Sequence, residues 1–314
     1  MNILIAGGAG FIGSNLAAKH IKHKDTVYVI DNLITGREKN IQSLLSNPDF
    51  HFLKEDITQF DFSSLPHFDI VYNLASPASP IQYKKYPIET LMANAEGTRR
   101  LLDFFRANNC GVFVLTSTSE VYGDPLVHPQ KESYWGNVNP VGIRSCYDES
   151  KRYSESLTMA YFRRYQLNVR IARIFNTYGP HMEKDDGRVV SNFIWQAVTG
   201  QPLTIYGEGK QTRSFSYVED TVNGLFKLGT VRNIAGEIFN IGNPLEKNMV
   251  QLAQTVLKLT GSKSGLIYRK IEEDDPKRRK PDISKAVSVL GWKPEISLED
   301  GLQKTIKYFR DEFL

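Results

Sequence analysis

Tyr147 and Lys151 stand four residues apart in the run Cys146-Tyr147-Asp148-Glu149-Ser150-Lys151. On a helix that spacing puts both side chains on one face, where an ammonium can stabilise a phenolate. A tyrosine, with an ordinary pKa of about 10, then becomes a usable base. Upstream, Thr116-Ser117-Thr118-Ser119-Glu120 supplies hydroxyls and a carboxylate. Tyr-x-x-x-Lys alone is a common spacing on amphipathic helices, so its meaning depends on the elements that position it.

Those elements read as α/β. Short, nearly continuous apolar runs predict strands over 2–6, 26–30, 50–53, 70–74, 111–117 and 168–173, as suits strands covered on both faces. Helical patterns start near Gly10, Ile88 and Asp148. The alternation predicts a Rossmann-type doubly wound parallel sheet. Beyond Asn176 the rhythm changes to Gly, Pro and charge clusters, with 218–241 returning to the main sheet. Residues 1–177 plus about 217–243 are therefore expected to form a nucleotide-binding domain, and about 178–216 plus 244–314 a smaller, discontinuous C-terminal substrate-binding lobe.

Composition narrows the classes. A chain of 314 residues has ample apolar material for a core, and a formal charge of +4 gives little reason to expect a nucleic-acid partner. Cys110 and Cys146 have neither a CxxC neighbour nor a histidine cluster, which argues against a disulfide scaffold and a metal site. The first strand begins at Asn2 and no apolar run approaches the roughly 20 residues of a membrane span, so a soluble cytoplasmic protein is expected. Cys146 lacks a histidine partner and reads as a packed thiol.

Gly7-Gly8-Ala9-Gly10-Phe11-Ile12-Gly13 follows the first strand and opens a helix. Gly7 permits the tight turn, Gly10 lets backbone approach a pyrophosphate and Gly13 allows close packing, with phosphates at the helix N-terminus. Asp31, ending the second strand, can accept hydrogen bonds from an adenosine ribose and repel a 2′-phosphate, so NAD is favoured over NADP; Arg37 weakens that preference slightly. Asp56, ending the third strand, is a candidate adenine contact. Thr118 ends the fifth strand, outside whose carboxyl end such sheets bind ligands.

The glycine loop, Asp31, Thr118, Tyr147 and Lys151, in this order, resemble the extended short-chain dehydrogenase/reductase superfamily acting on nucleotide sugars, over essentially the whole chain. More narrowly the chain resembles the UDP-glucuronate decarboxylase (UDP-xylose synthase) family. The blocks carrying that resemblance are Leu74-Ala75-Ser76-Pro77-Ala78-Ser79-Pro80, Ser117-Thr118-Ser119-Glu120-Val121-Tyr122-Gly123-Asp124-Pro125, His128-Pro129-Gln130 and Tyr134-Trp135-Gly136-Asn137-Val138-Asn139-Pro140. Further on come Arg173-Ile174-Phe175-Asn176-Thr177, Asp186-Gly187-Arg188-Val189-Val190-Ser191-Asn192-Phe193, Asp274-Asp275-Pro276 and Arg279-Lys280-Pro281-Asp282.

The resemblance implies oxidation of a sugar C4 hydroxyl by NAD, which turns a C5 carboxylate into a β-keto acid that loses carbon dioxide easily, followed by return of the hydride. It implies Tyr147 as base, Thr118 assisting, and Lys151 holding the tyrosine anionic and binding the nicotinamide ribose. Glu120 and Arg279 match positions tied to the carboxylate and C5, with Arg279 as charge partner of the leaving group. Ser119 stands where 4,6-dehydratases carry an aspartic acid. Phe11, Ile12, Asn32, Thr35, Gly36, Ile57, Leu74, Ser76 and Thr177 are implied beside the cofactor. Arg213, Asn176 and Arg188 are implied near the diphosphate or sugar of UDP-glucuronate, with Gln211 and Tyr206 toward uridine. Relatives pair as homodimers through the helix after Pro87 and the Tyr147 helix, for which Leu101, Leu157, Ala160 and Tyr161 could supply contacts. Met92-Ala93-Asn94 replaces a common Lys-Thr-Asn, and Glu183 a common histidine. A UDP-sugar 4-epimerase, a 4,6-dehydratase and a non-catalytic NAD-binding protein stay open, and Lys277-Arg278-Arg279-Lys280 could instead be a basic surface run or nucleic-acid patch.

Overall fold

The computed structural model describes residues 1–270, 276 and 278–314. Asp274, Asp275 and Lys277 of the sequence motifs lie outside the described residues.

Six strands fall in the predicted places: β1 Asn2–Ala6, β2 Thr26–Ile30, β3 Phe50–Leu53, β4 Ile70–Asn73, β5 Val112–Thr118 and β6 Val169–Ile174. With Glu237–Ile241 they form a seven-stranded parallel sheet in the order Glu237–Ile241, β6, β5, β4, β1, β2, β3. The order reverses beside β1, which opens a crevice at the carboxyl ends of β1 and β4. Strand alternation explains the two apolar layers: Ile3 and Ile5 of β1 pack on one side, Leu4 and Ala6 on the other.

Helix α1, Phe11–Lys22, starts directly at the glycine loop. The predicted helix near Ile88 is a broken one: α2 Pro80–Lys85, α3 Pro87–Met92, a π-helical turn at Ala93–Gly97 and α4 Thr98–Ala107. Pro80 and Pro87 each occupy a first helical turn, where a missing N–H costs nothing. Helix α5, Ser145–Tyr165, begins three residues earlier than Asp148 and carries Tyr147 and Lys151. Its position on the sheet is fixed by a buried network: Arg173 of β6 grips both oxygens of Glu155 (2.9 and 2.7 Å), and the Ser117 hydroxyl of β5 donates to the same carboxylate at 2.6 Å.

Leu101 is fully buried in the core, which corrects the expectation that it offers an apolar contact; Leu157 and Tyr161 are half-buried against the same layer, and Ala160 is exposed. Ile88, Leu91 and Met92 of α3 and Tyr153 of α5 are the large apolar side chains exposed there. Beyond Asn176, α6 (Val189–Val198) and α7 (Val218–Thr230) alternate with short sheets; one joins Glu246–Asn248, Thr212–Ser214 and Arg278–Arg279. Arg278 is exposed and Arg279 is 1% exposed, as two-residue strand periodicity dictates, so Arg279 belongs to no solvated basic patch. No helix among the described residues is long and apolar enough to cross a membrane, and no group of three or more metal-ligating side chains occurs among them.

Candidate active site

A cavity of about 1040 Å³ runs from the glycine loop, across the ends of the central strands, to Tyr206 and Arg213. At one end, Gly7 has φ +78°. A Cβ on Gly13 would lie 2.2 Å from the Gly7 carbonyl oxygen and 2.7 Å from the Gly8 Cα, whereas one on Gly10 would meet only the Gly7 carbonyl oxygen, at 3.3 Å. The loop therefore packs tightly below and leaves Gly10 open at the cavity wall, and no side chain caps the first N–H groups of α1. A pyrophosphate fits such a cradle. Gly13→Ala is expected to lower NAD affinity by at least about tenfold and to reduce the melting temperature, because backbone rather than a movable side chain must give way; unchanged cofactor binding by titration would contradict the packing.

Asp31 is buried at the cavity edge, accepting from the Ala9 and Leu33 backbone N–H groups at 3.0 and 2.9 Å. Burial raises its pKa, and these N–H bonds oppose the rise. Each oxygen keeps acceptor capacity for a ribose hydroxyl. Asn32 donates to Asp56 at 2.9 Å, so the two cofactor-edge residues are held together. Arg37 is engaged by Glu183, a charge pair joining the cofactor end to the 180s loop. Phe11, Ile12, Thr35, Gly36, Ile57, Leu74, Ser76 and Thr177 also line the cavity.

At the middle, Thr118, Tyr147 and Lys151 converge, each at most 7% exposed. Tyr147 stacks on Tyr83 with ring centroids 5.2 Å apart and planes 6° from parallel. Burial pushes Tyr147 up to about 12, against the pull of a Thr118 hydrogen bond and of Arg188, and with Glu120 and Asp148 adding to the rise. Lys151 donates to the Thr116 carbonyl at 2.9 Å, and its nitrogen lies 5.9 Å from the Tyr147 ring centre. Desolvation lowers Lys151 to about 8, with Glu155 opposing. In the protein alone, burial outweighs the pull of Thr118 and Arg188 on Tyr147. If the reaction needs the Lys151 charge, kcat/KM falls above about pH 8 as this proton leaves and is sustained below it. An alkaline limb near the ordinary lysine value of about 10.4 would contradict the burial argument.

Next to Tyr147, Glu120 bridges two guanidinium groups: Arg279 at 3.1 Å and Arg144 at 2.7 Å. Burial works against its charged form, but Arg279, Arg144 and Arg213 outweigh it and hold Glu120 ionised. Asp148, buried on the far side with one oxygen lacking a hydrogen-bond partner among the described residues, is driven up by burial and by Glu120. Arg279 also donates to the Ser119 hydroxyl at 2.9 Å and the Gly123 carbonyl at 2.8 Å. It is 1% exposed and backs Ser119 and Glu120 from inside the fold.

The wall also carries Asn176, Arg188, Tyr206, Gln211 and Arg213, with Arg188 near enough to act on Tyr147 and Arg213 on Glu120. Gln211 donates to the Tyr206 carbonyl at 2.8 Å, Arg188 pairs with Asp186 at 3.3 Å, and Arg213 donates to the Thr212 carbonyl at 2.9 Å. Sequence reasoning missed Tyr83, Arg144 and His181 at the wall; only Arg144, three residues before Tyr147, carried a signal, since that spacing shares a helical face.

The glycine cradle, buried Asp31 and the Thr118, Tyr147 and Lys151 cluster define a dinucleotide-dependent enzyme site, and residues 3–242 match the model of the NAD dependent epimerase/dehydratase family, to which the chain belongs. Curated relatives are more particular. The chain is 50% identical over 311 residues to UDP-glucuronic acid decarboxylase 2 of Arabidopsis thaliana, covering 99% of the chain and 68% of the relative. It is 51% identical over 311 residues to UDP-glucuronic acid decarboxylase 3 of the same plant, covering 99% and 89%. Among solved structures, a UDP-glucuronic acid 4-epimerase from Bacillus cereus, in complex with UDP-glucuronic acid and NAD, superposes with a TM-score of 0.91 at 31% identity, covering 100% of both chains.

Proposed function

We propose that this chain decarboxylates UDP-glucuronate to UDP-xylose, using NAD catalytically and leaving it unchanged overall. The observation that carries the reading is the meeting, at one point of the cavity, of an alcohol-oxidising set (Thr118, Tyr147, Lys151) with an arginine-clamped carboxylate, Glu120. When bound, NAD supplies a positively charged hydride acceptor and returns the same hydride later.

With the positive charge of bound NAD beside it to favour the phenolate, Tyr147 would take the proton of the C4 hydroxyl, which Thr118 orients. The resulting C4 ketone lies β to the C5 carboxylate, so the C–C bond electrons pass into an enolate as carbon dioxide leaves. A proton then adds to C5 from a water, which Glu120, kept ionised by its arginines, would orient; Tyr147 gives its proton back as C4 becomes an alcohol again. Ser119, with a hydroxyl of very high pKa, is a poor acid for eliminating a C6 group, which disfavours the dehydratase outcome. Arg213, Arg188 and Asn176 suit the diphosphate and sugar, Gln211 and Tyr206 the uridine.

The lobe division at about 178–216 plus 244–314 is part of this proposal, supported by two short sheets within those segments, Glu246–Asn248 with Thr212–Ser214 and Arg278–Arg279, and Leu203–Tyr206 with Leu266–Arg269. So are a cytoplasmic setting and a homodimer, the latter supported by exposed Ile88, Leu91, Met92 and Tyr153 on adjacent helices; a monomer mass by sedimentation would remove it. Incubation with UDP-glucuronate and NAD, followed by product mass and sugar identification, tests the function. A product retaining the carboxyl carbon would indicate a 4-epimerase instead.

A further inference from the structure

We infer that Glu183 takes part in choosing the dinucleotide: it holds the Arg37 guanidinium away from the adenosine ribose, so that a 2′-phosphate would meet the Asp31 carboxylate without a cation to receive it. This concerns the cofactor end of the cavity and is independent of which reaction the sugar undergoes. The backbone of Arg37 lies close to the ribose carboxylate. Gly36 packs directly on Asp31, and a Cβ there would lie 2.7 Å from either carboxylate oxygen. The next residue, Arg37, donates its backbone N–H to the Ala9 carbonyl at 3.0 Å, and Ala9 donates its own to Asp31 Oδ2 at 3.0 Å. An arginine in this neighbourhood is what accommodates a 2′-phosphate in folds of this class.

The side chain is directed elsewhere. Its guanidinium pairs with Glu183, and the further groups that favour its charge are Tyr308 and Glu312 of the helix Leu298–Phe313. Asp31, by contrast, is acted on by burial and by the backbone N–H groups of Leu33, Ala9 and Gly10, and Arg37 is not among them. Lys39 is drawn the same way as Arg37, to Glu312 at 2.6 Å. Glu55 and Asp56 line this end of the cavity as well, and Lys54 beside them is exposed.

Glu183 is brought to Arg37 by a loop fastened to α1. Asn15 donates to the Pro180 carbonyl at 3.2 Å, and the Ser14 hydroxyl lies 2.7 Å from His181 Nδ1, so the chain is anchored two residues before Glu183. The paired side chains are 37% and 29% exposed, and an ion pair so open to water adds little to stability. Its effect is on choice of ligand. For Arg37 to turn to a 2′-phosphate it must leave the Glu183 carboxylate unpaired beside a second anion, whereas NAD, with a hydroxyl at that position, asks nothing of Arg37. Selectivity then comes from a penalty on the wrong dinucleotide, added to the repulsion from Asp31.

The test is calorimetric titration of NAD and of NADP into the native protein, Glu183→Ala, and Glu183→Ala combined with Arg37→Met. Glu183→Ala is expected to raise the affinity for NADP relative to NAD by about tenfold, the worth of a charge-assisted bond to phosphate, and Arg37→Met to remove that gain. Glu183→Gln, which keeps the side-chain volume and loses the charge, should move the ratio in the same direction and supplies the reading if the alanine variant melts below the native protein. An unchanged ratio in the Glu183 variants overturns the assignment. So does a gain that survives Arg37→Met, because it would then come from loss of the Glu183 charge alone and not from release of Arg37.

Discussion

Tyr147→Phe is expected to lower kcat by about a thousandfold while NAD binding stays within about twofold of native. The ring is 6% exposed and stacked on Tyr83, contacts that phenylalanine keeps, so the fold should be undisturbed. Only the hydroxyl is lost, and with it the group that accepts the C4 proton. Because oxidation precedes every later step, the variant should neither release carbon dioxide nor develop the absorbance of reduced nicotinamide on mixing with UDP-glucuronate. Turnover near the native rate would remove Tyr147 from the mechanism.

Arg279→Met is expected to separate oxidation from decarboxylation. The guanidinium is 1% exposed and holds Ser119, Glu120 and the Gly123 carbonyl, and methionine fills much of its volume without the charge. Removing one partner of a buried pair costs about 3 kcal/mol of stability; Arg144 remains on Glu120 and keeps the loss from being larger. Thr118, Tyr147 and Lys151 stay in place, so C4 oxidation should continue while the 4-keto sugar and reduced nicotinamide accumulate. The checks are calorimetric melting and rapid-mixing absorbance. A variant that melts like the native protein and releases carbon dioxide at the native rate would show that backing Glu120 is dispensable.

Much of the sheet was legible because strands covered on both faces read as short apolar runs, and β1 to β6 each lie within a residue of their sequence positions. The glycine loop, Asp31 and the Tyr147–Lys151 spacing were legible because their roles are local. The rest depends on long-range packing. The break between α2 and α4 hinges on Pro80, Pro87 and a π-helical turn, which a single periodic reading merges. Leu101 faces the sheet and is lost to any interface, although its pattern is merely amphipathic. Tyr83 reaches Tyr147 across more than sixty residues, and Arg279 reaches Ser119 across 160. Nor could the basic run around Arg279 announce that one arginine in it is buried, because burial there follows from pairing with Thr212–Ser214.

The central claim is a hydride removed from C4 and returned to it with loss of carbon dioxide between. UDP-glucuronate carrying deuterium at C4, incubated with the native protein in ordinary water and then again, unlabelled, in heavy water, tests both halves by mass spectrometry and NMR of the product. The expected product is UDP-xylose that keeps the C4 deuterium in the first case and gains a single solvent deuterium at C5 in the second. A six-carbon product with the carboxylate intact, or loss of the C4 label to solvent, would contradict it.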